Sequence, residues 1–186
     1  MGTIWKEQID TALLRYIPSI VNDPKEDRKD LKSFVTIRKP DEDFKIEEYP
    51  RITVYNTYDI PDYIRMPTPN YPTVIEKDYD TAYLDEPPQQ YTLLYQIDFW
   101  STLQKHMNDM TREWIQTGRV INLDVKDMTG NDRNRPLIRQ GNIMKLDLLR
   151  GSERIYHSFI TYRVWVELQA TPIEEFLVKE IITQTN

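Results

Sequence analysis

The sequence predicts an α+β domain, with a mostly antiparallel (mixed) β-sheet of four or more strands and two main helices. Three observations carry that prediction. Several segments alternate apolar and polar residues with the period of a strand, while two stretches, one near the N-terminus and one after residue 101, repeat apolar residues every three or four positions. The second half of the chain strings strand patterns together through turn-rich connections, which is the grammar of an antiparallel meander. A length of 186 residues suits one domain, and 39% hydrophobic residues supply one core. We place residues 1–186 in a single domain, with residues 57–90 as an extended loop or arm inserted into it.

The first element is a helix from Thr3 to about Ile20. Ile9, Leu13, Ile17 and Ile20 fall on one face, with Tyr16 beside them. Thr3 suits the N-cap, and Pro18 should kink or end the helix because it lacks an N–H and its ring crowds the preceding turn. The stripe reads as core-facing, and in an oligomer the same stripe can meet a partner. Residues 22–32 alternate charge so densely that they read as a solvated connection. Ser33–Arg38 and Arg51–Tyr58 then alternate as strands and are expected to be neighbours.

Between residues 56 and 90 the composition shifts. Six of the twelve prolines fall here (Pro61, Pro67, Pro69, Pro72, Pro87, Pro88), together with Tyr58, Tyr63, Tyr71, Tyr79 and Tyr83. The same window holds seven acids (Asp59, Asp62, Glu76, Asp78, Asp80, Asp85, Glu86) against Arg65 and Lys77, a net charge of −5. Such a segment packs poorly by itself. Tyrosine beside proline makes an adhesive, semi-extended surface, so it reads either as a partner-contacting arm or as a surface-packed loop.

Tyr91–Trp100 is the clearest strand, with Tyr91, Leu93, Tyr95, Ile97 and Phe99 on one face, and it should be central. Ser101 followed by Gln104 has the spacing of a capping box, opening a helix whose stripe is Leu103, Met107, Met110 and Trp114 and which Gly118 stops. His106 sits on the flank of that stripe. Val120–Val125 alternates with Ile121, Leu123 and Val125 inward; Ile143–Leu149 alternates through Met144, Leu146 and Leu148; and Tyr156–Leu168 is a long strand with His157 on the opposite face. Asp127–Pro136 reads as a turn-rich loop, and Arg150–Glu153 as a tight hairpin connection. Residues 171–186 fit a helix or a strand equally well.

Absent residue types narrow the chemistry. With no cysteine there is no disulfide, thiol nucleophile or Cys-based zinc site, and with only His106 and His157 a Ser-His-Asp arrangement has few ways to form. Five glycines form no phosphate-binding loop pattern. Net charge is −6, which disfavours bulk attraction to nucleic acid or anionic membrane, and no apolar run approaches the roughly 18 residues that a bilayer crossing needs. We expect no enzyme, no cofactor, no metal, no membrane partner and no sequence-specific nucleic acid.

One enzymatic alternative remains. Pro61-Asp62 followed by Asp124-Val125-Lys126 matches the pattern of metal-dependent nucleases, in which two carboxylates hold Mg²⁺ and the lysine positions water, although here about 60 residues and a helix separate the halves. The acids Glu76, Asp78, Asp80, Asp85 and Glu86 lack the glycine turn of a calcium loop and read as solvated. Against the acidic arm stands the window 119–163, where nine basic residues meet five acids, a net charge of +4. That split suits head-to-tail contact between copies, or else describes two unrelated solvated faces.

Three stretches, Glu48-Tyr49-Pro50-Arg51-Ile52-Thr53-Val54-Tyr55, Leu94–Trp100 running into Gln104–Met110, and Tyr162–Leu168, together with the order of elements, resemble the tail-terminator (tail-completion) proteins of tailed bacteriophages. The resemblance spans about two-thirds of the chain. It implies a compact domain with helices packed on one face of the sheet, and a hexameric ring that caps the tail tube, stops its growth and joins it to a head connector or neck protein. A sheath contact and a place in the virion tail or neck, after assembly in the host cytoplasm, follow from the same resemblance. Another connector, neck or baseplate role is the alternative. The residues chosen for the interface are Tyr71, Tyr79, Tyr83, Arg133, Arg135 and Arg139, because aromatics and arginine dominate protein–protein hot spots.

Overall fold

A computed structural model describes residues 4–25, 34–38, 48–61, 73–78, 81–85, 89–127, 129–168 and 175–177, with the backbone alone described for 58, 73–78, 81–85, 150, 168 and 175–177. In chain order the elements are α1 (Lys6–Ile20), β1 (Val35–Ile37), β2 (Arg51–Pro61), β3 (Thr73–Asp78), β4 (Thr81–Asp85), β5 (Gln89–Ser101), α2 (Gln104–Gln116), β6 (Val120–Lys126), β7 (Asp132–Lys145), β8 (Leu148–Arg150), β9 (Glu153–Leu168) and β10 (Glu175–Leu177). The fold is α+β, as the sequence predicts.

The main sheet runs β1-β2-β5-β9-β7-β6, with β8 paired to the start of β9. It is mixed, because β1 lies parallel to β2 while every other pair is antiparallel. β5 is central, as its alternation requires: it pairs with β2 from Tyr91 to Trp100 on one side and with β9 over its whole length on the other. The β8–β9 hairpin turns through Gly151-Ser152, and Gly151 takes φ +64°, the left-handed conformation that a two-residue hairpin turn demands and glycine adopts without strain.

Both helices pack on one face. Met110 and Trp114 of α2 and Ile9, Leu13 and Ile17 of α1 share a buried cluster with Leu93, Tyr95, Ile97 and Phe99 of β5 and with Ile160, Tyr162 and Val164 of β9. Each fully buried aliphatic contributes about 1.5–3 kcal/mol. Ring contacts fix the seating: Trp5 meets Tyr91 edge-on at 6.0 Å, and Trp114 lies 6.3 Å from Phe99 and 6.2 Å from Tyr16. The Tyr95 hydroxyl donates to the Asp10 carboxylate at 2.7 Å, which ties α1 to the central strand.

Several expectations change. Thr3 lies outside the described residues, and the N-cap position of α1 belongs to Trp5, whose N–H donates to the Gln8 side chain at 2.9 Å. Pro18 stands inside the helix, in its last turn, and the helix runs on past it to Ile20. Ser101 is not an N-cap: it is the last residue of β5, its hydroxyl bonds to the Leu103 backbone, and Leu103 takes the cap position and is exposed instead of joining the stripe. The loop expected at 127–136 closes by residue 131, because Asp132–Pro136 pair with β6 and extend β7 to 14 residues.

Within the expected arm, residues 57–61 belong to β2, which shifts register once between Asn56 and Tyr58 and then pairs with β5 up to Pro61 opposite Tyr91. Further on, β3 and β4 form an antiparallel hairpin, and β10 adds to β4, giving a separate three-stranded sheet. Glu175–Leu177 is therefore strand; the rest of 171–186 lies outside the described residues.

Candidate assembly surface

The turn between β6 and β7 is organised by one buried carboxylate. Asp127 accepts hydrogen bonds from the Thr129 hydroxyl (2.7 Å), the Thr129 N–H (2.9 Å) and the Asn131 N–H (2.9 Å), and Arg133 Nε reaches its second oxygen at 3.3 Å. These donors, the Thr129 hydroxyl foremost, hold its pKa down to about 2. An Asp side chain accepting from the N–H two residues on, as Asp127 does from Thr129, is a local turn habit of that residue type. Gly130 completes it with φ +84°.

Three of the six residues expected at an interface therefore sit on β7 and not in a loop. Arg133 serves the Asp127 turn, Arg135 pairs with Glu167 at 3.1 Å, and Arg139 Nε donates to the Gly141 carbonyl at 3.0 Å. Tyr71 and Tyr79 lie outside the described residues. Tyr83 stands on β4, in the other sheet, where only its backbone is described. Further along the basic window, Lys126 pairs with Asp132 and Arg154 with Asp147, so several of its cations already have carboxylate partners within the chain.

The connection from β7 into the β8–β9 hairpin differs from expectation most. Met144, Leu146, Leu148 and Leu149 are 56%, 50%, 43% and 80% exposed, where alternation alone placed the first three on a strand with a buried face. Their backbone is nonetheless held: Leu146 N–H donates to the His157 carbonyl at 2.8 Å, and Leu148 and Leu149 stand opposite Ile155 and Arg154. These four exposed apolar side chains thus stand on a hydrogen-bonded backbone.

On the sheet face away from the helices, His157 points opposite the core, as its alternation predicts. Its Nε2 lies 2.7 Å from Asp98 Oδ1, which also accepts from Gln96 Nε2 at 2.9 Å. The imidazole stacks on Trp100, with ring centres 3.7 Å apart and planes 3° from parallel. The Trp100 indole N–H donates to the Thr53 hydroxyl at 3.0 Å. The pair is buried and internally satisfied. Asp98 and His157 are 59 residues apart, so nothing local in the sequence links them.

Asp124 and Lys126 occupy exposed positions on β6, where Asp124 accepts from Asn134 at 3.3 Å; Asp62 of the nuclease pattern lies outside the described residues. Among the described residues no group of three or more His, Asp or Glu is placed to hold a metal ion, and no helix is long and apolar enough to cross a membrane. No family model matches the chain, and no curated protein matches it.

Proposed function

We propose that this chain is a non-enzymatic structural subunit of a tailed-phage virion, a tail terminator that assembles as a ring on the end of the tail tube, stops its growth and receives the head connector. The observation that carries the proposal is the apolar surface Met144, Leu146, Leu148 and Leu149 held on a hydrogen-bonded backbone. Exposed leucines on a fixed frame lower the ordering cost of association, and their burial against another subunit is favourable at about 25 cal/mol per Å². The resemblance in Glu48–Tyr55, Leu94–Met110 and Tyr162–Leu168 supplies the assembly class.

The structure changes which residues we assign to the contact. Arg133 and Arg135 have carboxylate partners inside the chain, so the contact is assigned to the apolar segment in place of that pair. Polymerising the tail tube protein with and without this chain, and measuring tube length by electron microscopy, tests the proposal. Tubes should stop at short, narrowly distributed lengths with the parent protein and grow freely with a Leu146→Ser, Leu149→Ser variant. Tube lengths unaffected by the parent protein would reject the terminator role.

A further inference from the structure

β6 ends the main sheet, and among the described residues it pairs with β7 alone. The hydrogen bonds flanking it show which residues turn their backbone outward. Arg139 N–H donates to the Arg119 carbonyl and Asp127 N–H to the Asn131 carbonyl, both at 2.9 Å, and both pairs continue the register that sets Val120 opposite Ile138. Alternate residues of an antiparallel ladder bond to the same neighbour. Ile121, Leu123 and Val125 therefore bond to β7, and Val120, Asn122, Asp124 and Lys126 direct their N–H and C=O groups away from it. All four of these side chains are exposed.

A cleft runs beside that strand. One part, of about 370 Å³, is bordered by Glu7 and Thr11 of α1 and by Lys126; another, of about 200 Å³, by Ala12 and Tyr16 of α1 and by Asp124. Arg15 borders both parts. Helix and strand share the buried cluster through Ile9, Leu13, Ile121 and Leu123, and the cleft opens beside that contact, at the strand's outer edge.

We propose that this edge pairs with the same edge of a second copy, β6 against β6, antiparallel across a two-fold axis. The outward row Val120, Asn122, Asp124, Lys126 is self-complementary in that orientation. A register centred on Leu123 sets Asn122 opposite Asp124 of the second copy and Val120 opposite Lys126, so an amide faces a carboxylate and a lysine stem covers a valine. It uses the whole strand and forms about eight hydrogen bonds. The register one step along sets Asp124 against Asp124, and like charges directly opposed are destabilising. The Lys126–Asp132 pair is exposed on both sides and weak enough to yield.

A two-fold contact differs in symmetry from the cyclic contact of a ring, so this pairing goes beyond the ring reading. Alone it makes dimers, and added to a ring it joins two rings.

The chain has no cysteine, which makes the register directly testable. Asn122→Cys and Asp124→Cys variants, differently tagged and mixed, should give on oxidation a mixed disulfide in several-fold excess over either homodimer. Equal yields, or no cross-link, would overturn the register. Asp124→Pro removes an outward N–H and leaves the ladder to β7 intact, because proline is tolerated on the open side of an edge strand. It should raise the dimer dissociation constant by about ten-fold or more in sedimentation, with thermal unfolding of the monomer unchanged. A parent chain monomeric at 100 μM or so, or a six-copy ring indifferent to Asp124→Pro, would overturn the pairing; the second result leaves the ring standing.

Discussion

The indole N–H of Trp114 donates a 2.9 Å hydrogen bond to the hydroxyl of Tyr162 inside the core, joining α2 to β9. The rings meet edge-on, 5.9 Å between centres. Burial pushes the Tyr162 phenol up to about 12, with the Trp114 bond opposing, so the pair is neutral at ordinary pH.

Removing the hydroxyl alone isolates that bond. Tyr162→Phe should cost about 1–3 kcal/mol, since a buried N–H is left without an acceptor, and Trp114→Ala about 3–5 kcal/mol through the cavity it leaves. Urea unfolding measures both. A Tyr162→Phe chain as stable as the parent would mean that water or another acceptor replaces the phenol.

Acid stability should depend on Asp127. Its pKa lies at about 2 in the folded chain, below the ordinary carboxylate value, so its contribution is present above about pH 4 and is lost as pH falls from there through about 2. Asp127→Asn should be less stable than the parent at pH 7, with the gap closing toward pH 2. A gap constant with pH would show that the carboxylate charge does not hold the turn.

Asp10 behaves in the opposite sense. Burial raises its pKa, with the Tyr95 hydroxyl and Lys6 pulling the other way. A carboxyl that holds its proton more tightly when folded favours folding in acid, and that contribution fades as pH rises above about 4. Asp10→Asn keeps an acceptor for Tyr95 and removes the buried charge. It should match or exceed the parent in stability at pH 7 and converge with it near pH 3, as read from thermal melts across pH.

Charge reversal on β7 should separate the arginine that holds the Asp127 turn from one that does not. Arg133→Glu sets a carboxylate against the buried Asp127 and should lower the melting temperature, whereas Arg139→Glu loses only a bond to the Gly141 carbonyl and should lower it less. Equal melting temperatures would indicate that Arg133 is not needed to hold the turn.

Much of the fold is legible along the chain, because strand and helix periods are local properties. The pleat repeats every two residues and the helix every 3.6. Tyr91–Trp100, Val120–Val125 and Tyr156–Leu168 therefore declared themselves as strands, and Ile9, Leu13 and Ile17, like Met107, Met110 and Trp114, as buried stripes. His157 was legible as facing away from the core for the same reason. The boundaries that went astray, at Ser101 and between residues 132 and 136, depend on whether a neighbouring strand is there to pair with. For 132–136 that neighbour is β6, whose position is not written locally.

By itself, then, the sequence determined the two helices, most strands of the main sheet and which of their faces are apolar, but not the strands β3, β4 and β10. Tertiary structure alone decided what each face meets. The Asp98–His157 pair and the Trp114–Tyr162 bond exist because strand register and helix docking bring together residues 59 and 48 positions apart. Met144, Leu146 and Leu148 alternate like a half-buried strand yet stand exposed, because periodicity records only that a face is apolar. Whether it is covered depends on what packs over it, and in this fold both helices lie against the face that carries Tyr95 and Tyr162.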